Sequence, residues 1–448
     1  MKETQIYFLA MMAFIIFSSN DLLANDEAID VLNNKSKAIQ DECLTEYKKC
    51  TTSILDKVDA FYKVYENKGE ECIKNIQTII DSEYEHVSCQ DQLSRCRGEN
   101  ESIWSRIHHT NDIQLEIGSP DKHGLNKFSV KSIREQARQI PKLKSLLISR
   151  KNKLIFEEYY RYKDDPKPHH VWSITKSVMS LLIGIAIDNN FLESEEESIK
   201  PYFSNHFKNE SDPRKEDILI KHALTMTTGL NFTDNNNWYD WSSYEPYARD
   251  DNARDWILNY EMLLNYQPGD VWLYGSPNTD LLSTIISSST NLSTLEFAEK
   301  YLFAPLEINN YIWWHDSSEN YVGGFTLFLR PRALMRIGQM VSNGGRYQGK
   351  QIVSENWINK SLSSFVELGG EDGFAYGYSW WRFRVGENQV ISAFGYGGQL
   401  ITLIPSLDLI IVTTSDSNSA CSKESVEKQF GAVLDLARSV IMSIDMRK

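Results

Sequence analysis

The sequence predicts a protein of the α+β class, with one sheet assembled from distant parts of the chain and a helical subdomain inserted between them. Two observations lead to this prediction. Short β-rich runs occur between Leu143 and Tyr160 and again between Tyr376 and Thr414. Between these runs, residues 172–361 have mostly helical apolar spacing, interrupted by long irregular loops. The cleft between the sheet and the helical subdomain is therefore the expected place for a functional site.

The first segment, residues 1–24, is predicted to be a signal peptide. The run from Ile6 to Phe17 is apolar throughout and is too short for the roughly 20 residues that span a bilayer. Cleavage is expected after Ala24, and the protein is then periplasmic or secreted, with no transmembrane span after cleavage. An uncleaved N-terminal anchor is the alternative, and it has less support because no charged stop-transfer flank follows the run.

The second segment, residues 25–105, is predicted to be a cysteine-rich helical hairpin, because five of the six cysteines lie within it. Two pairs have i, i+7 spacing, which places each pair on one helix face. An antiparallel hairpin that turns near Gly69 pairs Cys43 with Cys96 and Cys50 with Cys89. The partners of Cys72 and Cys421 stay open. Scattered buried thiols are the alternative, and a zinc site is disfavoured because ligand spacing is lacking.

The third segment, residues 106–448, carries the predicted α+β domain. A connector containing Gly118, Pro120 and Gly124 leads into a hairpin that turns at residues 150–153. The helical centre follows. Four further strands and a last amphipathic helix are predicted, with these bounds: Tyr376 to Arg384, Gln389 to Phe394, Gln399 to Pro405, Leu407 to Thr414, and the helix from about Ser425 to Ser443.

Charge and composition exclude some classes of partner. Forty-seven Lys and Arg residues against 61 Asp and Glu residues give a formal charge of −14. A nucleic-acid partner is not expected, because binding phosphates requires a basic face. An anionic membrane surface is disfavoured on the same ground. The hydrophobic content of 41% is sufficient for a sizeable core.

A first candidate for chemistry is the sequence Ser173-Ile174-Thr175-Lys176 at the start of an apolar helix. At i, i+3 spacing on a first helical turn, the serine hydroxyl and the lysine ammonium group share one side. A desolvated Lys176 could then take the proton of Ser173, because burial lowers the pKa of a lysine. The free N–H groups at the helix N-terminus favour the oxyanion that forms when Ser173 attacks a carbonyl. Taken alone, this pattern is weak, since it arises by chance in many proteins.

Two further elements follow along the chain. Tyr274-Gly275-Ser276 lies where a loop enters a helix, so a phenol and a hydroxyl can face a cleft. The segment Gly395-Tyr396-Gly397-Gly398-Gln399 is expected at an edge of the C-terminal sheet, where small residues allow close backbone approach to a ligand. Taken alone, Tyr274 is an ordinary half-buried aromatic residue and the glycine-rich segment a β-bulge or tight turn.

The order of these three motifs resembles the serine β-lactamase and penicillin-binding-protein superfamily. Further segments resemble the family in the same order along the chain, and they are residues 222–230 (HALTMTTGL), 301–306 (YLFAPL), Gly323-Gly324-Phe325, Leu329 to Arg332, and Gly338-Gln339. The resemblance covers about Asp112 to Ile444, and class-C-like esterases and 6-aminohexanoate-dimer hydrolases are the most similar subgroup. It implies an antiparallel sheet flanked by helices with an inserted helical subdomain.

The resemblance also implies a role for each site residue. Ser173 is the implied nucleophile that becomes acylated, and Lys176 and Tyr274 share the acid and base work. Ser276 relays a proton or binds substrate. The backbone N–H groups of Ser173 and Gln399 form the implied oxyanion hole. No metal or cofactor is required, and the expected partner is a small-molecule substrate, with the oligomeric state left open.

One departure from the family pattern bears on the substrate. The Lys-Thr-Gly of β-lactamases and peptidases is replaced by Tyr396-Gly397-Gly398, so the cationic partner of a substrate carboxylate is missing. This favours esters or small amides. A second departure is Ser276, which stands where the family has Asn. The alternatives are a DD-peptidase or β-lactamase acting on peptidoglycan-type substrates, and a non-catalytic binding protein on the same scaffold.

Two further groups of residues have weaker support as site residues. His169 and His170 lie close to Ser173, but no nucleophile-elbow sequence supports a Ser-His pair. The aromatic loop Trp238 to Tyr244 is either a substrate wall or simple packing under a long loop.

Overall fold

The structure is a computed structural model, and it describes residues 113–160, 168–208, 210–234, 256–315, 320–416 and 423–445. Several predictions lie outside these residues. They are the signal peptide of residues 1–24, the helical hairpin of residues 25–105 with its pairs Cys43–Cys96 and Cys50–Cys89, Cys421, and the aromatic loop Trp238 to Tyr244. In the described residues, no helix is long and apolar enough to cross a membrane.

An eight-stranded sheet forms the centre of the described domain, and two smaller sheets accompany it. The strands are β1 Leu143–Arg150, β2 Lys153–Tyr159, β3 His169–His170, β4 Tyr311–Trp313, β5 Leu327–Leu329, β6 Arg346–Tyr347, β7 Lys350–Gln351, β8 Val366–Gly369, β9 Phe374–Tyr376, β10 Trp381–Val385, β11 Asn388–Gly395, β12 Gln399–Ile404 and β13 Leu409–Ser415. The large sheet has the order β2-β1-β13-β12-β11-β10-β9-β8. Each neighbouring pair in it is antiparallel. The prediction of one sheet built from distant parts of the chain is thus confirmed.

The helices lie on both faces of the large sheet. They are α1 Lys127–Gln139, α2 Ile174–Asp188, α3 Ser204–Phe207, α4 Ile220–Leu224, α5 Pro277–Thr290, α6 Thr294–Ala298, α7 Pro331–Ser342, α8 Glu355–Ser361 and α9 Lys423–Met442. One hydrophobic core joins α1 and α9 to the sheet, and a second core joins α2, α5 and α7 to its other face. Successive residues of β1 alternate between these cores, with Leu146 in the first and Leu147 in the second.

The first hairpin is confirmed, and its turn explains its register. Lys151 and Asn152 both have positive φ, 51° and 62°, which is the backbone of a two-residue turn that matches strand twist. β1 then pairs with β13 at the other end of the chain. The helix that follows Ser173 is also confirmed, as α2.

Two predicted strands have different bounds in the structure. The strand expected from Tyr376 to Arg384 is split into β9 and β10. Between them Ser379 has a φ of 61°, and a Cβ atom on Gly377 would come closer than 3.0 Å to two carbonyl oxygens. The strand expected from Leu407 begins at Leu409, because residues 405–407 form a 3-10 turn that ends at Asp408 with a φ of 47°.

Several elements were not predicted. The segment read as a connector contains α1, whose N-cap residue Asn126 accepts a hydrogen bond from the Ser129 N–H through its side chain. Short strands β3, β4 and β5 form a three-stranded sheet within the mostly helical centre. The glycine-rich segment is not at an edge strand as expected. It forms the turn between β11 and β12, two central strands, so it lies at an end of the sheet.

Candidate active site

The position of Ser173 follows from the way the chain enters α2. Trp172, directly before it, has a φ of 51°, a left-handed conformation that is rare for a bulky residue. Ser173 is the N-cap residue of α2, yet its side chain makes no capping hydrogen bond. The hydroxyl is therefore directed elsewhere. The N–H groups of the first turn are not free as expected, because those of residues 174–176 donate to the carbonyl oxygens of residues 171–173.

Lys176 lies one turn into α2 and is only 1% exposed. Its Nζ atom is 2.9 Å from Ser173 Oγ, 2.8 Å from Ser276 Oγ and 2.8 Å from the carbonyl oxygen of Gly324. Burial lowers the pKa of Lys176 to about 8, and the carboxylates of Asp234 and Asp280 act in the opposite direction. A large part of the Lys176 population is consequently neutral in mildly alkaline solution.

Tyr274 lies on another side of Lys176. Its ring centroid is 5.0 Å from Lys176 Nζ, and its hydroxyl lies near enough to the Ser173 side chain for that side chain to affect its pKa. Burial and, secondarily, the charge of Asp234 raise the pKa of the Tyr274 phenol, and the Ser173 side chain acts against this rise. The phenol therefore keeps its proton in the range where Lys176 loses one. Ser173 thus lies between a neutral acid and a potential base.

Ser276 is held by a residue that the sequence analysis missed. Its Oγ atom donates to Asp234 Oδ2 at 2.8 Å, and its backbone N–H donates to Asp234 Oδ1 at 2.9 Å. Asp234 is 2% exposed and Ser276 is 3% exposed. Ser276 is also the N-cap residue of α5, so the N-termini of α2 and α5 both open at the site.

The Gly324 carbonyl and Asp280 were missed as well. Asp280, in the first turn of α5, accepts a hydrogen bond from the Gly324 N–H at 3.0 Å, which fixes the peptide that contacts Lys176. Gly323-Gly324 was recognised only as part of a family pattern. A Cβ atom on Gly324 would come closer than 3.0 Å to the Ser276 side chain, so this residue must be small.

The glycine-rich turn packs against the residues that lead into Ser173. The ring of Tyr396 meets that of Trp172 edge-on, with centroids 5.1 Å apart. Gly397 and Gly398 have φ of 75° and 102°, which favours glycine at both positions. The Gln399 side chain is fully buried and bonds to the backbone of Ser415, so only the backbone of Gln399 can serve an oxyanion hole.

Aromatic rings surround the site on two sides. On the Tyr274 side, the rings of Trp272, Tyr376 and Trp381 lie with centroids 5.7–6.2 Å from that of Tyr274. On the Trp172 side lie His170 and Phe325, at 4.1 Å and 6.3 Å. These rings provide mainly apolar walls.

The two histidines before Ser173 lie in a short strand, and His170 packs between aromatic rings. They form β3, and the ring of His170 stacks between Trp172 and Phe328 while one nitrogen bonds to the Phe325 carbonyl oxygen at 2.7 Å. Burial lowers the pKa of His170 to about 3, which keeps it neutral. In the part of the chain that the structure describes, no group of three His, Cys, Asp or Glu side chains is placed to hold a metal ion.

Comparison with known proteins gives a consistent result. The family described as Beta-lactamase matches residues 136–432. The 6-aminohexanoate-dimer hydrolase of Paenarthrobacter ureafaciens is 25% identical over 304 residues, which are 64% of this chain and 76% of that protein.

Two solved structures share the fold. The octameric penicillin-binding protein homologue from Pyrococcus abyssi has a TM-score of 0.54 at 17% identity, covering 69% of this chain and 77% of that chain. A D-stereospecific amidohydrolase from Streptomyces sp. has a TM-score of 0.53 at 13% identity, covering 68% of this chain and 98% of that one. At such identities the similarity establishes the architecture.

Proposed function

Since the chain belongs to the beta-lactamase family and is a serine hydrolase, we propose that it hydrolyses a small ester or amide through an acyl-enzyme formed on Ser173. The observation that carries this proposal is the grouping of Ser173 and Lys176 at 2.9 Å with the Tyr274 ring 5.0 Å from Lys176 Nζ, and Ser276 is a further contact of Lys176. Nucleophile, base and acid are thus assembled before substrate arrives.

In the acylation step, neutral Lys176 accepts the proton of Ser173 as Ser173 Oγ forms a bond with the substrate carbonyl carbon. The negative charge that develops on the carbonyl oxygen is stabilised by the α2 N-terminus, with the backbone N–H groups of Ser173 and Gln399 as the proposed donors. Tyr274 gives its proton to the leaving alcohol or amine as the carbon–leaving-group bond breaks. Lys176 returns a proton to Tyr274, which restores both groups.

Deacylation reverses these roles with water as the nucleophile. Water attacks the acyl carbon and loses a proton to the Lys176–Tyr274 pair, and the bond from the carbon to Ser173 Oγ breaks. Ser173 recovers its proton from Lys176, and the carboxylic acid product leaves. Ser276 supports both steps as a contact of Lys176.

The substrate is proposed to lack a carboxylate that must be bound by a cation. Tyr396 stands where a lysine would supply that cation, and aromatic rings border Ser173 on both sides. Such walls suit apolar acyl or leaving groups. Two of the similar proteins are named as hydrolases, a 6-aminohexanoate-dimer hydrolase and a D-stereospecific amidohydrolase. The word amidohydrolase refers to amide substrates, which supports including amides with esters in the proposed substrate class.

A substrate panel tests this proposal. Turnover of neutral p-nitrophenyl esters and p-nitroanilides is compared with that of nitrocefin, a β-lactam that carries a carboxylate. We expect release of p-nitrophenol or p-nitroaniline from neutral substrates and little change of nitrocefin. Preferential nitrocefin turnover would contradict the substrate class and favour the peptidoglycan-type alternative.

We also propose that the protein is exported and that residues 25–105 form a disulfide-linked hairpin. The short apolar run near the N-terminus and the clustered cysteines support this. N-terminal sequencing of protein from the native host, with non-reducing peptide mapping, tests it. A chain that keeps residues 1–24, or that contains reduced Cys43, Cys50, Cys89 and Cys96, would contradict it.

A further inference from the structure

The buried pair Asp234 and Ser276 gives the hydrogen bonds around Lys176 a fixed direction. An ionised carboxylate can only accept hydrogen bonds, so both the N–H and the hydroxyl of Ser276 must donate to Asp234. The hydroxyl proton of Ser276 is therefore used in the hydrogen bond to Asp234. Toward Lys176, 2.8 Å away, Ser276 Oγ can then act only as an acceptor.

The other contacts of Lys176 determine which neighbour its lone pair faces. Lys176 has three close oxygen neighbours, and the carbonyl of Gly324 accepts only. When Lys176 is neutral, it keeps two N–H donors and one lone pair. The two donors match Ser276 Oγ and the Gly324 carbonyl oxygen, and the lone pair is left for the third neighbour, Ser173 Oγ, at 2.9 Å.

We infer that Asp234 is a positioning residue that, by holding the Ser276 hydroxyl as an acceptor, directs the lone pair of neutral Lys176 at the proton of Ser173. This inference rests on the proposed function, in which Lys176 takes that proton. Asp234 acts on Lys176 through its two hydrogen bonds with Ser276. The network thus selects one direction of proton transfer before substrate binds.

Replacing Asp234 with Asn would reverse this direction at nearly constant shape. The backbone N–H of Ser276 needs an acceptor, so it fixes the amide oxygen in the place of Oδ1. The amide NH₂ group then faces Ser276 Oγ and donates to it. The Ser276 hydroxyl is released to donate to the Lys176 lone pair, where it competes with Ser173.

The same substitution also changes the charge around Lys176. The charged groups that act on it are Asp234 and Asp280, which raise its pKa against the effect of burial, and Tyr274 is the neighbouring titratable phenol. With one carboxylate removed, the pKa of Lys176 falls. An Asp234→Asn enzyme should therefore gain its neutral lysine at lower pH and still react more slowly once the lysine is neutral.

A four-protein comparison tests the inference. The second-order rate of phosphonylation by a fluorophosphonate probe is measured by intact mass across a pH range around 8 for the wild type, Asp234→Asn, Ser276→Ala and the double variant. We expect Asp234→Asn to lower the limiting rate at high pH by about tenfold or more and to move the midpoint to lower pH. In the Ser276→Ala background, Asp234→Asn should move the midpoint but change the limiting rate less than about twofold.

The outcomes separate the inference from the function on which it rests. An equal loss of limiting rate in both backgrounds, or an unmoved midpoint, would overturn the role of Asp234 while leaving Ser173 as the nucleophile. A folded wild type that takes no label would contradict the proposed function itself and this inference with it. Near-ultraviolet circular dichroism of all four proteins identifies any loss of packing, which would lower the rate without moving the midpoint.

Discussion

Gly395, at the end of β11, lies so close to Val171 that a Cβ atom on the glycine would come closer than 3.0 Å to the Val171 carbonyl oxygen. Val171 is two residues before Ser173. The central sheet therefore supports the backbone that presents the nucleophile, through a contact in which only hydrogen fits. The glycine-rich segment thus has a supporting role in addition to any contact with substrate.

We expect Gly395→Ala to lower the rate of ester hydrolysis by about tenfold to a hundredfold, because the added methyl group displaces the Ser173 backbone. Gly431→Ala is a matched control, since nothing lies within 4 Å of the added Cβ atom in α9. Steady-state kinetics of both variants provide the check. Equal activities in the two variants would show that the sheet contact does not position Ser173.

The pH dependence should follow Lys176. Because burial lowers the pKa of this lysine to about 8, the active neutral form increases as the pH rises through that value. The acylation rate should accordingly rise toward a plateau above about pH 8. Lys176→Met should lower this rate by about a hundredfold or more and remove the rise. A rise that persists in Lys176→Met would assign it to another group.

Tyr274→Phe should affect substrates according to their leaving groups. A p-nitrophenolate ion leaves without a proton, whereas an amine or alkoxide needs one from Tyr274. We expect a loss of about tenfold or more for an alkyl ester or anilide and a smaller loss for the p-nitrophenyl ester with the same acyl group. Tyr376→Phe, which removes a neighbouring phenol whose ring is 6.2 Å from that of Tyr274, is the control. Equal losses for both leaving groups would argue against Tyr274 as the acid.

Gly184 allows a test of packing away from the chemistry. A Cβ atom on Gly184 in α2 would come closer than 3.0 Å to the ring of Trp357, which is buried. We expect Gly184→Ala to lower the free energy of unfolding by about 1–3 kcal/mol, despite the higher helix propensity of alanine. Urea unfolding measures the change. An unchanged or increased stability would mean that α8 moves to accommodate the methyl group.

The elements that the sequence predicted are those with a local pattern. The hairpin of β1 and β2, the buried helix α2 and the C-terminal strands each have an apolar period or a turn that neighbouring residues reveal. The order of the strands in the sheet follows from bringing the two ends of the chain together. Strands β3, β4 and β5 were not predicted, because two or three residues are too few to show an apolar period.

The site contacts also fall into two groups, those that local spacing predicts and those that it does not. Ser173 and Lys176 are three residues apart, so one helical turn is enough to predict their contact, which the structure shows at 2.9 Å. Asp234 meets Ser276 across 42 residues, and nothing near Asp234 in the sequence distinguishes it from other loop acids. The carbonyl of Gly324 is a backbone group, so no residue type in the sequence indicates its contact with Lys176. Such partners are set by tertiary packing.

Every other role proposed for the site residues depends on Ser173 being an activated nucleophile. Intact-mass spectrometry of the purified protein and of Ser173→Ala, before and after exposure to a fluorophosphonate serine-hydrolase probe, tests this most directly. We predict one adduct on the wild type and none on Ser173→Ala. A folded wild type without an adduct, or an adduct that persists in Ser173→Ala, would contradict it.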